Sequence, residues 1–166
     1  GPTGLAVVTL SEDGENTIVV VPGANAAVLP DVVRGAEEVI AGARVCVLQA
    51  EIPIASVETA AALAARAGTR VVLNAAPATS FGRATLAVAD PLVVNEHEAA
   101  LVLGWLTDGT PAAPSGPEDA LELARRLRAE AVPAVAVTLG GAGAVGIDAA
   151  GEEWPVAGLR GPVPAT

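Results

Sequence analysis

From residue 44 onward, short β-branched runs alternate with helical stretches rich in alanine and leucine. That alternation leaves the chain very few architectures. Residues 44–48, 70–73, 92–94 and 134–138 read as strands, because short continuous apolar runs suit strands covered on both faces. Residues 56–67, the stretch near 96–103 and residues 118–131 read as helices. The last of these is the clearest, with Leu121, Ala124, Leu127 and Ala131 falling on one helical face. Strands separated by helices require right-handed βαβ crossovers. The expected fold is therefore α/β, with a mostly parallel, doubly wound sheet and helices on both faces. Residues 144–147 and 153–156 follow as a hairpin turning across 148–151.

The amino-terminal part is patterned differently. Residues 5–10 and 17–21 are strand-like runs, joined through Asp13-Gly14, a pair that accepts the positive φ of a tight hairpin turn. Pro22-Gly23-Ala24-Asn25 ends the second run, and Pro30 precedes an expected helix over 31–41. Residues 107–117 are rich in Gly, Pro and Ser and read as a surface loop. The reading divides the chain into a small β segment over 1–25 and an α/β portion over 26–166.

Composition narrows what this framework can do. Of 166 residues, 52% are apolar but only 2% aromatic, so the core must be built from Ala, Val and Leu. A formal net charge of −10 argues against a nucleic-acid groove, which needs clustered Lys and Arg. Cys46 stands alone between two valines, as a strand thiol suited to a reducing cytoplasm. No apolar run approaches the roughly 20 residues of a membrane helix. The chain contains no Met, so Gly1-Pro2 is expected to be a cleavage or excision point.

The polar residues of interest sit where strands end. Asn95 closes the run 92–94, and Glu98 follows one helical turn later. Two readings are open. The pair can form a helix cap, with acidic side chains favouring the positive helix end. It can equally orient a phosphate or a hydrated magnesium ion, since hard cations take oxygen ligands. Thr138-Leu139-Gly140-Gly141-Ala142-Gly143 likewise reads as a phosphate-cradling loop or as a plain turn into an antiparallel strand. Without a Lys, it is no P-loop. Glu51 follows the run 44–48 and Asn74 the run 70–73; each has a structural reading in pairing or turn formation. His97 is the only histidine and assembles no catalytic dyad. Glu51, Asn74, Asn95 and residues 138–143 all fall at carboxyl ends of successive strands, the rim where open α/β sheets bind ligands.

Taken in order, TGLAVVTLSEDGENTIVVVPGAN, LQAEIP, LNAAPA, VNEHEAALVLG and VTLGGAGAV resemble the ribokinase family of sugar kinases, the PfkB superfamily. The resemblance spans nearly the whole chain. It implies transfer of the ATP γ-phosphate to the primary hydroxyl of ribose, giving ribose 5-phosphate, with magnesium and a potassium-like monovalent cation. On it, Asn95 and Glu98 match the family's N-x-x-E motif, Asn95 facing phosphate and Glu98 the metal. Thr138, Gly140 and Gly143 would line the ATP site. Glu51 would lie in the sugar pocket, with Ala6, Val8 and Val20 on the apolar side of a lid over the sugar. Such a lid excludes water and so prevents wasteful ATP hydrolysis.

The resemblance also marks departures. The family's amino-terminal sugar motif and its later G-A-G-D motif are not found in these residues. The catalytic base is therefore expected beyond Thr166, and the 166 residues alone are expected not to turn over. Ala165 stands where the family has an Asp tied to the cation site, and Ala75 where it usually has Pro. The expected partners are a sugar and ATP, without nucleic acid or membrane, and a homodimer through the lid. The alternatives are a non-catalytic nucleotide- or sugar-binding module, or a kinase for another pentose or a nucleoside.

Overall fold

The computed structural model describes residues 1–11, 16–107, 109, 111–130 and 132–158. Two sheets organise them. Strands β1 (Leu5–Leu10) and β2 (Asn16–Val21) form an antiparallel ribbon, Ala6 opposite Val20 and Val8 opposite Ile18. The expected Asp13-Gly14 turn lies outside the described residues. The main sheet contains β3 (Val45–Gln49), β4 (Arg70–Asn74), β5 (Ala89–Asn95), β6 (Val135–Thr138), β7 (Gly143–Ile147) and β8 (Glu153–Ala157), in that spatial order. β3 to β6 run parallel, whereas β7 and β8 add as an antiparallel hairpin. The α/β class, the mostly parallel sheet and the small β ribbon are all present.

Between these strands run α1 (Pro30–Arg34), α2 (Glu37–Gly42), α3 (Ile54–Ala67), α4 (Arg83–Leu86), α5 (Glu96–Leu106) and α6 (Pro117–Ala129). The single helix expected over 31–41 is two short ones. Gly35 is a poor helix former, and the chain tightens just after it, where Ala36 N donates to Val33 O three residues back. α3 ends at Gly68, whose φ of 76° allows a left-handed cap. On α6 the buried face is Ala120, Leu123, Ala124 and Leu127, with Leu121 at its margin. Of the expected stripe, Ala124 and Leu127 are buried, Leu121 is partly so and Ala131 lies outside the described residues; α6 packs against α5 as well as the sheet, which also covers Ala120 and Leu123.

Leu73, Leu92, Val94, Val135 and Val137 point from the sheet into a core shared with Ala99, Val102, Leu103 and Leu127. The alternate sheet residues fare differently. Val47 is 71% exposed and Val45 44% exposed, and Val72, Val93 and Ala136 are only half-buried. Among the described residues, the second face of the sheet carries no helix, so the expected double winding, with helices on both faces, is not seen here. The cause is the strand order: right-handed crossovers between consecutive neighbours all fall on one side. Cys46 points toward the covered side, against Ala61, Ala64 and Val71, where burial pushes its thiol pKa up. No helix among the described residues is long and apolar enough to cross a membrane.

Candidate active site

The four parallel strands deliver Gln49, Asn74, Asn95 and Thr138 to one edge. Glu51 follows β3 directly, its backbone N–H donating to Gln49 Oε1 at 2.9 Å. The expected rim therefore exists, and it holds two distinct corners.

The first corner lies between β5 and β6. Asn95 pairs in register with Thr138, and Thr138 Oγ1 donates to Val94 O at 3.4 Å. Asn95 is the N-cap of α5. Its Oδ1 accepts from the Glu98 N–H at 2.8 Å, while Glu98 Oε2 accepts from the Asn95 N–H at 2.9 Å. This reciprocal capping box fulfils the structural reading of the pair. Its geometry uses Oε2 and leaves Glu98 Oε1, on a half-buried side chain, without a hydrogen-bond partner among the described residues. Magnesium is usually held by one or two carboxylates plus waters and phosphate. One free carboxylate oxygen fits that role, and no group of three potential metal-ligating side chains occurs among the described residues.

After Thr138, residues Gly140–Ala142 make a single 3-10 turn that leads into antiparallel β7. The glycines of this turn serve different needs. Gly140 has φ +52°, and both Gly140 and Gly141 have open space where a Cβ would stand, so a ligand can approach the backbone there. Gly143 has φ +104°, and a Cβ on it would lie 2.0 Å from Val156 O. Its lack of a side chain is thus required by close packing against β8. Val163-Pro164-Ala165-Thr166, where a cation-site position was expected, lies outside the described residues.

The second corner is a cavity of about 290 Å³ between the ribbon and the end of β3. Thr3, Gly4, Leu5, Ala6, Val20, Val21, Pro22, Asn25 and Glu51 line it. Three of the four expected sugar-pocket residues, Ala6, Val20 and Glu51, thus meet around one space. Val8 shares the ribbon face of Ala6 but sits two residues further out and is not part of the wall. Thr3 and Asn25 were not foreseen as site residues. The turn signal at 22–25 accounted for Asn25 locally and drew no attention to its amide.

Ala75, where a Pro was expected by resemblance, is fully buried and donates its N–H to Val93 O at 3.1 Å. A proline cannot make that bond. The neighbouring Asn74 ends β4 half-buried and is not part of this cavity's wall. His97 is exposed on the first turn of α5.

A mostly parallel sheet with a polar carboxyl-end rim, and a ribbon beside one corner of it, make the kind of crevice in which open α/β sheets bind small molecules. The chain belongs to the pfkB family of carbohydrate kinases, whose pattern it matches over residues 1–161. It is 35% identical over 159 residues to a ribokinase of Schizosaccharomyces pombe, covering 95% of this chain and 48% of that protein. A ribokinase of Staphylococcus aureus is 39% identical over 102 residues, covering 61% of this chain and 34% of that one. Among solved structures, the Arabidopsis thaliana ribokinase complexed with ribose and ATP superposes with a TM-score of 0.76 at 27% identity. That match covers 94% of this chain and 48% of the Arabidopsis chain. The chain thus spans at most about half the length of these relatives.

Proposed function

We propose that this chain supplies the sugar pocket and the metal–phosphate corner of a ribose kinase. The reaction moves the γ-phosphoryl group of ATP to the primary hydroxyl of D-ribose, yielding ADP and ribose 5-phosphate. The observation that carries the reading is the cavity in which Ala6, Val20 and Glu51 converge beneath the ribbon. Glu51 accepts hydrogen bonds from sugar hydroxyls, and Ala6 and Val20 cover the apolar face of the ring.

The corner between β5 and β6 complements this cavity. It lies two to three strands along the same edge, roughly 10–14 Å away at ordinary strand spacing. ATP bound over Gly140 with Gly143 beneath the loop would extend its phosphates past Thr138 and Asn95 toward the sugar. Magnesium bound there would neutralise phosphate charge, and Glu98 Oε1 is the oxygen that would hold it directly or through water. A monovalent cation such as potassium belongs to the same proposal on family resemblance alone.

No residue of the chain is assigned as the proton acceptor of the transfer. The 166 residues are accordingly expected to bind ligands without turning over. The two ribbon strands expose Leu5, Val7, Val8, Leu10 and Ile18, which supports pairing of two copies through the lid. A cytoplasmic setting accords with ATP as donor.

Calorimetry with D-ribose, adenosine and Mg-ATP, alongside an assay for ADP release, tests this reading. Saturable binding of ribose and Mg-ATP without ribose-dependent ADP release is expected. Binding of adenosine in place of ribose would shift the substrate to a nucleoside, and no sugar binding at all would overturn the proposal.

A further inference from the structure

The cavity wall contains, beside Thr3 and Glu51, a polar side chain whose identity the fold leaves unexplained. Asn25 lies in the 3-10 turn Gly23–Ala27, and its backbone serves that turn: its N–H donates to Pro22 O and its carbonyl accepts from Val28 N. Its side-chain amide takes no part in the turn, and no residue among those described bonds to it. The Glu51 carboxylate, in the same cavity wall, likewise has no hydrogen-bond partner among the described residues.

The turn that carries Asn25 is fixed in place. Ala24 N donates to Pro2 O at 2.8 Å. Gly23, at φ +54°, lies so close to the first strand's approach that a Cβ would stand 2.6 Å from the Thr3 carbonyl. On its far side, the fully buried Ser56 donates its hydroxyl to Val28 O at 2.6 Å. A turn clamped at both ends holds its exposed amide at the cavity wall with little ordering left to do on binding.

We infer that Asn25 is a sugar-specificity residue, which works with Glu51 to read adjacent hydroxyls of the pentose. This rests on the sugar-pocket reading given above. The chemistry of the two groups is complementary. A carboxylate only accepts hydrogen bonds, whereas an amide both donates and accepts. One hydroxyl can therefore donate to Glu51 while its neighbour's oxygen accepts from the Asn25 amide. A pocket with Glu51 alone would satisfy the hydroxyl hydrogens and leave the oxygens to water.

The test is calorimetric titration of the full chain and its Asn25→Ala and Asn25→Asp variants with D-ribose, together with their melting temperatures. Loss of one net hydrogen bond predicts about fivefold weaker ribose binding in Asn25→Ala. Asn25→Asp keeps the shape but removes the donor and adds charge near Glu51, so it is expected to bind at least as weakly. Both variants should melt with the parent chain, because the amide holds nothing together. Unchanged ribose affinity in Asn25→Ala, with the parent chain binding normally, would overturn this inference and leave the kinase reading intact. Absence of ribose binding by the parent chain would overturn both. Weakened binding accompanied by a lowered melting temperature would assign Asn25 a structural role and refute the inference.

Discussion

Asn95 and Glu98 are two halves of one capping box, so substituting them separately divides its structural role from a metal-binding one. In Asn95→Ala, the 2.8 Å bond to the Glu98 N–H is lost, and an orphan donor is left at the head of α5. Removing such a cap costs about 1 kcal/mol. In a protein of this size that corresponds to a melting temperature lowered by roughly 2–4 °C. Glu98→Gln is different. Its carboxamide oxygen still accepts from the Asn95 N–H, as capping boxes allow. Only the favourable charge at the helix start is lost, worth about 0.3–1 kcal/mol. The order reverses for the metal: Glu98→Gln removes the carboxylate oxygen that the capping box leaves free, and magnesium affinity in the presence of ATP should fall about tenfold. Thermal melts by circular dichroism, with ATP titrations at zero and saturating magnesium, read both effects. If Glu98→Gln leaves the magnesium dependence unchanged, the corner is a helix cap and nothing more.

Other consequences follow from single positions. Gly143→Ala, which drives a Cβ into Val156 O at positive φ, should destabilise by roughly 3 kcal/mol or more. Gly140→Ala, with open space at φ +52°, should cost about 1 kcal/mol; equal denaturation midpoints would refute the separate roles given to these glycines. The Ser115 hydroxyl and N–H hold the Asp119 carboxyl below the usual range. Because this folded-state pKa is depressed, its contribution to stability is present above the ordinary carboxylate pKa and fades as pH falls through the lowered value. Ser115→Ala should therefore raise the Asp119 midpoint in a carboxyl NMR titration; an unmoved midpoint would deny the hydroxyl's role. The uncovered sheet face around Val47 should bind the dye ANS, and Val47→Thr should reduce that binding with little change in melting temperature. Unaltered fluorescence would place the dye elsewhere.

The strands and their rim were legible because burial on the helix-facing side demands β-branched or leucine residues at 71, 73, 92, 94, 135 and 137. The same periodicity said less about the other face. Val45, Val47 and Val72 look like core in sequence, and only the consecutive strand order reveals that no helix crosses them. The break at Gly35 was hidden because a single glycine within an apolar helical pattern costs only about 1 kcal/mol. At the site, Glu51, Asn95 and Thr138 could be placed from strand ends alone. The cavity could not, because it forms where the ribbon folds back over β3, and that contact is not encoded in any local spacing. Asn25 was obscured for the same reason: turn chemistry explains an asparagine at that point without reference to the space it faces.

An amide-resolved NMR titration with D-ribose and then Mg-ATP tests the central claim most directly. Ribose is predicted to shift resonances of Gly4, Ala6, Asn25 and Glu51, and Mg-ATP those of Asn95, Glu98, Thr138 and Gly140. Saturable shifts confined to these two corners would establish a sugar site and a nucleotide site on one sheet edge. Shifts from both ligands that cluster elsewhere, or no shifts from either, would contradict it.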